Sequence, residues 1–78
     1  MKKELHYFKG QEIRRGDVLF YIGKGKVELW EVRGVGRKRI DFAGRSILWP
    51  CFYREYQDVF FWTAREARDR LGAPLASL

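Results

Sequence analysis

Few side chains of this sequence could carry out a reaction. It has one histidine, His6, and one cysteine, Cys51, in 78 residues. Nucleophilic or general-base catalysis needs such a group held by a partner side chain. His6 lies among apolar neighbours, and Cys51 stands between Pro50 and Phe52, where no neighbour in sequence would activate its thiol. We therefore predict that neither residue is catalytic and that the protein is not an enzyme.

Metal, disulfide and phosphate-loop chemistry is equally poorly supported. A single cysteine cannot form a disulfide within the chain, and a structural zinc site normally needs several Cys or His ligands. The glycine pairs at 23–25 and 34–36 match neither the dinucleotide-binding nor the Walker pattern. They are typical of turns and bends. We expect no cofactor and no metal.

Binding chemistry is better represented, because basic residues exceed acidic ones and give a net charge of +6. Such a surface attracts polyanions. The densest positive charge, interrupted only by Asp41, comprises Arg33, Arg37, Lys38, Arg39 and Arg45. Lys and Arg at a hairpin can neutralise phosphates and release counterions. An alternative stays open: Arg37, Lys38 and Arg39 could instead guard an exposed strand edge against pairing with other chains.

Aromatic residues make up 17% of the chain and could contribute to the same surface. Rings near a basic groove stack on unpaired bases. The candidate contacts are Trp49, Tyr53 and Tyr56, with Tyr21 and Trp30 as further platforms. In a chain this short, however, most large rings must fill the core. The rings expected there are Phe20, Trp30, Phe42, Trp49, Phe60 and Phe61.

The elements that must position these residues are mainly strands. Residues 18–22 are β-branched and aromatic, which predicts a strand covered on both faces. The segment 23–25 then suits a tight hairpin, because two glycines tolerate positive φ. The returning strand is predicted over Lys26–Val35. Gly34 and Gly36 should bend it, as glycine within a strand often marks a bulge or a corner.

Shorter strands are expected on either side of this hairpin, at residues 4–8, 40–42, 46–49 and 59–62. Pro50 cannot donate to a sheet ladder, so we place it at an edge, a bulge or a strand end. The sequence then predicts that residues 51–53 continue the extended chain beyond it.

A helix is predicted near the end of the sequence. Thr63 and Glu66 have the spacing of a capping box, in which the first caps amides and the second reaches back. Ala67 and Leu71 lie on one helical face, which should be buried on the sheet because so short a helix needs tertiary contacts. Gly72 and Pro74 are expected to end it.

Together these elements predict one domain over residues 1–78, mainly β with a single C-terminal helix. About five bent antiparallel strands would form a small barrel or half barrel of the Src-homology type. An open sheet with one helix packed on it is the main alternative. The sequence shows neither a signal peptide nor an apolar stretch long enough to span a membrane, so we expect a cytoplasmic protein and no membrane partner.

The order of these elements resembles small proteins of bacteriophages and mobile elements. The resemblance runs from Gly16, through the glycine hairpin and the strand after it, to Thr63 and the helix start at residues 59–67. It implies a bent sheet leading into a helix and transfers no binding residue.

Phage-type proteins of this size include anti-CRISPR inhibitors, which occupy a nucleic-acid-binding surface of a host defence complex. The resemblance therefore implies a non-catalytic inhibitor or modulator of a host protein or nucleoprotein complex, acting in the host cytoplasm. The alternative is a small accessory domain that binds nucleic acid directly through the same basic surface.

Overall fold

The computed structural model describes residues 5–72. Two helices and seven strands follow one another in this range. They are β1 (Tyr7–Phe8), β2 (Gln11–Glu12), β3 (Val18–Gly23), β4 (Lys26–Val35), β5 (Arg39–Phe42), β6 (Arg45–Leu48), α1 (Trp49–Glu55), β7 (Phe60–Phe61) and α2 (Ala64–Leu71). The first predicted strand is thus confirmed only at Tyr7 and Phe8, and its beginning at Glu4 lies outside the described residues.

The strands form an open antiparallel sheet. Their order is β6-β5-β4-β3-β7, and β1 pairs separately with β2. In the described part of the chain the outer strands β6 and β7 do not pair with each other, so the predicted Src-homology-type barrel is not closed. After β6 the chain enters helix α1 at Trp49, and the two-residue strand β7 that follows pairs with β3 instead of β6.

The central hairpin agrees with the sequence in position and differs in detail. The returning strand is confirmed at Lys26–Val35, and Gly23 pairs with Lys26 across a two-residue turn. Positive φ falls on Lys24 (53°) and Gly25 (79°), while Gly23 is the last residue of β3. A two-residue turn of this kind needs positive φ at both central positions because only that twist matches the strands.

Strand β4 has an irregular register at Gly34, one of the two glycines at which the sequence predicts a bend or bulge. It pairs with β3 over residues 26–31 and with β5 over residues 32–35, and the second register shifts between Val32 and Gly34. Arg33 is the extra residue of this bulge. At Gly34 a Cβ atom would lie 2.9 Å from a carboxylate oxygen of Asp41, so a larger residue would displace that side chain.

The predicted strand at residues 46–49 is confirmed up to Leu48, and helix α1 corrects the prediction of an extended chain at residues 49–53. Trp49 and Pro50 form its first turn, and Cys51, Phe52 and Tyr53 continue it. Proline is well suited to that position because the first amides of a helix have no intrahelical partner. The structure therefore contains two helices where the sequence predicted a single C-terminal one.

The main core lies between α1 and one face of the sheet. Phe52 is fully buried at its centre, with its ring centroid 5.5 Å from that of Phe60 and 5.0 Å from that of Phe8. The other buried members of this cluster are Ile13, Leu19, Val32, Ile40, Phe42, Ile47 and Trp49. Aromatic rings carry enough apolar area to fill the interior of so short a chain.

The helix α2 begins as predicted, with the Thr63 hydroxyl accepting a 3.1 Å hydrogen bond from the Glu66 amide. That hydroxyl also donates to the Glu66 carboxylate, so the carboxylate binds the cap side chain. Ala67 is fully buried outside the main cluster, and α2 contacts β3, β4 and β7, which places it on the opposite face of the sheet from α1. Burial of Leu71 was wrong: its side chain is 38% exposed, because it lies in the last turn.

Gly72 ends α2, and Pro74 lies outside the described residues. Neither helix is long and apolar enough to cross a lipid bilayer within residues 5–72.

Candidate functional site

The densest positive charge forms the connection between β4 and β5. We call Arg37, Lys38 and Arg39 the basic tip. All three residues are exposed. Their side chains make no ion pair or hydrogen bond with any residue in the described range 5–72. Their charges are therefore available to a partner.

The backbone of the basic tip is held in place from two sides. The Gly36 amide donates to the Arg39 carbonyl at 2.8 Å, which closes the turn. The Trp49 amide donates to the Lys38 carbonyl at 3.0 Å, and the Trp49 indole donates to the Gly36 carbonyl at 2.9 Å. A fixed backbone reduces the conformational entropy that ordering this turn on a partner would cost.

Arg33 lies in the β4 bulge, between the residues that pair with Phe42 and Asp41, and is partly neutralised. Its Nε atom is 3.4 Å from the Glu31 carboxylate, and both side chains are well exposed. Exposed pairs of this kind are weak and salt-sensitive. Arg33 can therefore leave Glu31 to bind a stronger anion. Arg37, Lys38 and Arg39 have no ion pair within residues 5–72 to break first.

Arg45 is also separated from the basic tip by the fold. In the β5 and β6 pairing Arg45 lies opposite Phe42. Phe42 is three residues from Arg39 along β5, which is about 10 Å at the usual rise of a strand. The guanidinium carbon of Arg45 lies 5.0 Å from the ring centroid of Trp30. The five predicted cations therefore occupy two separate regions of the surface.

A groove of about 330 Å³ opens beside Arg45. Its lining consists of Leu29, Trp30, Glu31, Phe42, Ala43, Gly44 and Arg45. Trp30 is half-buried and fixed from several directions: its centroid is 4.6 Å from that of Tyr21, and its indole donates to Glu28 at 3.2 Å. Trp30 is the predicted aromatic platform that the structure places in a surface groove.

The other aromatic candidates are less accessible. Trp49 is only 4% exposed and stacks on His6 with a centroid distance of 3.8 Å, so it supports the basic tip from within. Tyr53 and Tyr56 are half-buried against the core. Burial raises the pKa of Tyr53, and a hydrogen bond with the backbone of Tyr7 acts against that rise.

The sequence found the basic tip because its residues are contiguous. It missed the proximity of Trp30 and Arg45, which depends on how β5 and β6 are registered against β4. The bulge at Arg33 sets that register, and its exact position cannot be read from Gly34 alone. A partial signal was present in the short turn at Ala43 and Gly44, which places Arg45 opposite Phe42.

No group of three or more potential metal ligands occurs among the residues that the structure describes. Cys51 is half-buried on α1, and His6 packs on Trp49. That the protein is not an enzyme, and that it needs no cofactor, stay predictions.

No protein-family model, curated protein or solved structure matches this chain significantly.

Proposed function

We propose that this protein is a non-catalytic binding module whose basic tip contacts the phosphates of a nucleic acid. The observation that carries the proposal is a run of three consecutive, exposed cations that have no ion-pair or hydrogen-bond partner within residues 5–72, at a turn whose backbone is held by Trp49. Lys and Arg in such a place neutralise phosphates and release counterions.

The position of the tip in the sheet argues against an edge-guarding role. The basic tip joins β4 and β5, which are both interior strands in the order β6-β5-β4-β3-β7. Guard residues are needed on outer strands, whose unpaired backbone groups attract other chains. Here the outer strands are β6 and β7, so binding is the better explanation for three clustered cations.

The same phosphate contact would serve a phage-type inhibitor that acts on a host nucleoprotein complex. That identification rests on a sequence resemblance and stays a prediction. Contact with phosphates is common to both the inhibitor and the accessory domain, so it is the part of the function to test first.

The test reverses charge at the basic tip and at a matched control. Arg37→Glu with Lys38→Glu should weaken binding to a mixed-sequence oligonucleotide at least tenfold. Lys24→Glu with Lys26→Glu makes the same change in net charge at the far end of β4, about 30 Å away along the strand. The control should bind within about threefold of the parent. Equal losses in both variants would show a general charge effect and contradict a defined site, as would full binding by the tip variant.

A further inference from the structure

The groove beside Arg45 has a chemistry that differs from that of the basic tip. We propose that it seats one unpaired nucleobase, so that the protein binds single-stranded nucleic acid in preference to duplex. This inference rests on the proposed function, because the phosphates held at the basic tip deliver the strand to the groove. The guanidinium of Arg45, the open edge of β4, and the size and charge of the groove all favour a base.

Arg45 is placed to stack on a base. Its guanidinium is held over Trp30 at 5.0 Å and has no acidic partner within residues 5–72. An arginine fixed on an aromatic ring loses little further freedom when it binds. Since Arg45 also lines the groove, its guanidinium is available there to stack on a base or to donate to its edge.

The groove also borders backbone groups that are not hydrogen-bonded to a neighbouring strand. Strand β4 pairs with β5 only from Val32 onward, so its β5-facing edge along residues 26–31 has no strand partner in the described part of the chain. Leu29, Trp30 and Glu31 from this stretch line the groove. Backbone N–H and C=O groups at an open edge match the donors and acceptors on the edge of a base.

Charge indicates a base in the groove and phosphate elsewhere. The groove has one carboxylate, Glu31, which already pairs with Arg33, and one cation, Arg45, so it offers a phosphate less positive charge than the basic tip, while Leu29, Phe42 and Ala43 add apolar atoms to its lining. A volume of about 330 Å³ is at the small end of ligand pockets and suits one planar group. Bases in a duplex are stacked and paired, so only an unpaired base can enter.

The groove and the basic tip are close enough to share one strand. Arg45 lies about 10 Å from Arg39 along the β5 and β6 hairpin, with its side chain on the opposite face from that of Arg39, so the strand reaches the groove from Arg37 and Lys38 at the turn. A single strand that crosses the basic tip can therefore turn a nearby base into the groove, in the way that aromatic and arginine platforms take bases from flexible strands.

The experiment compares one oligonucleotide as a single strand and as a duplex, by fluorescence anisotropy, with four proteins. The parent should bind the single strand on the order of tenfold more tightly, the usual effect of one stacked base. Arg45→Gln should remove that preference while leaving duplex binding within about twofold. Arg45→Lys keeps the charge but lacks the planar group, and it should lose the preference as well. Arg65→Gln on α2, an exposed arginine on the opposite face, should behave as the parent.

Thermal unfolding of each variant establishes that it is folded, and the indole N–H resonance of Trp30 reports on the groove directly. The single strand should shift that resonance in the parent, and the duplex should not.

Equal binding of single strand and duplex by the parent would overturn the base site, and so would an Arg45→Gln variant that loses affinity for both forms equally. Either result would leave the proposed phosphate contact at the basic tip unaffected. Failure of the parent to bind either form would overturn the proposed function and this inference together. An extended peptide that shifts the Trp30 resonance when the oligonucleotide does not would also overturn the base site.

Discussion

The indole of Trp49 donates a 2.9 Å hydrogen bond to the carbonyl of Gly36, thirteen residues earlier in the chain. Trp49 is 4% exposed and begins α1, whereas Gly36 precedes the basic tip. A second bond runs from the Trp49 amide to the Lys38 carbonyl. The burial of one side chain in the core thus also fixes the backbone of the proposed binding turn.

Replacing Trp49 with Phe tests this coupling. The substitution keeps an aromatic ring but removes the bond to Gly36, and it should lower the free energy of unfolding by about 1 to 3 kcal/mol. Binding to an oligonucleotide should weaken severalfold, because the turn becomes more mobile. Denaturant unfolding and fluorescence anisotropy measure the two effects.

Trp62 supplies the control for this experiment, since its indole donates to the Phe8 carbonyl at 2.7 Å through the same kind of bond. Trp62→Phe should destabilise the fold by a similar amount and leave binding unchanged. If the two variants lose binding equally, the loss reflects stability alone and Trp49 does not position the tip.

Lys9 fastens the β1 and β2 hairpin to the outer strand β7. Its ammonium donates to the Phe60 carbonyl at 2.9 Å and lies 3.8 Å from the ring centroid of Phe61. Lys9→Met keeps most of the side-chain length and should cost about 1 kcal/mol in a denaturant unfolding experiment. Lys26→Met, at an exposed site, should cost much less, and equal costs would show that the contact contributes nothing specific.

Tyr53 should make the fold sensitive to alkaline pH. Burial raises the pKa of its phenol above the ordinary value of 10.0. The unfolded chain therefore loses this proton first, and stability falls as pH rises through about 10 toward the folded pKa. A Tyr53→Phe variant should show a shallower fall in melting temperature between pH 9 and 11 than the parent. An identical pH profile for Tyr53→Phe and the parent would contradict this role.

Local signals explain which elements could be predicted from sequence. Strand β4 and the start of α2 follow from alternation, glycine placement and the Thr63 cap, and all of these act within a few residues. The sequence does not predict helix α1, because Pro50 suits a strand edge, a bulge or a strand end as well as the first turn of a helix. Whether β6 and β7 meet to close a barrel depends on contacts distant in sequence, which no local pattern records.

The same distinction between local and distant sequence signals applies to the candidate site. The basic tip is contiguous in sequence and could be found by counting charges. The groove needs Trp30 and Arg45, fifteen positions apart, to meet across a bulge. Trp49 is predicted from sequence both as a core ring and as a possible contact, and its position in the first turn of α1 directs it into the core.

The most direct test of the central claim, that the basic tip binds phosphates, is the salt dependence of oligonucleotide binding. Each phosphate contact with a single strand contributes about 0.7 to the slope of log affinity against log salt. The variant Arg37→Gln, Lys38→Gln, Arg39→Gln removes three cations, so its slope should be shallower than that of the parent by about two units. The Lys24→Gln, Lys26→Gln control should retain most of the parent slope. A parent affinity that is insensitive to salt, or a tip variant with the parent's slope, would contradict the claim.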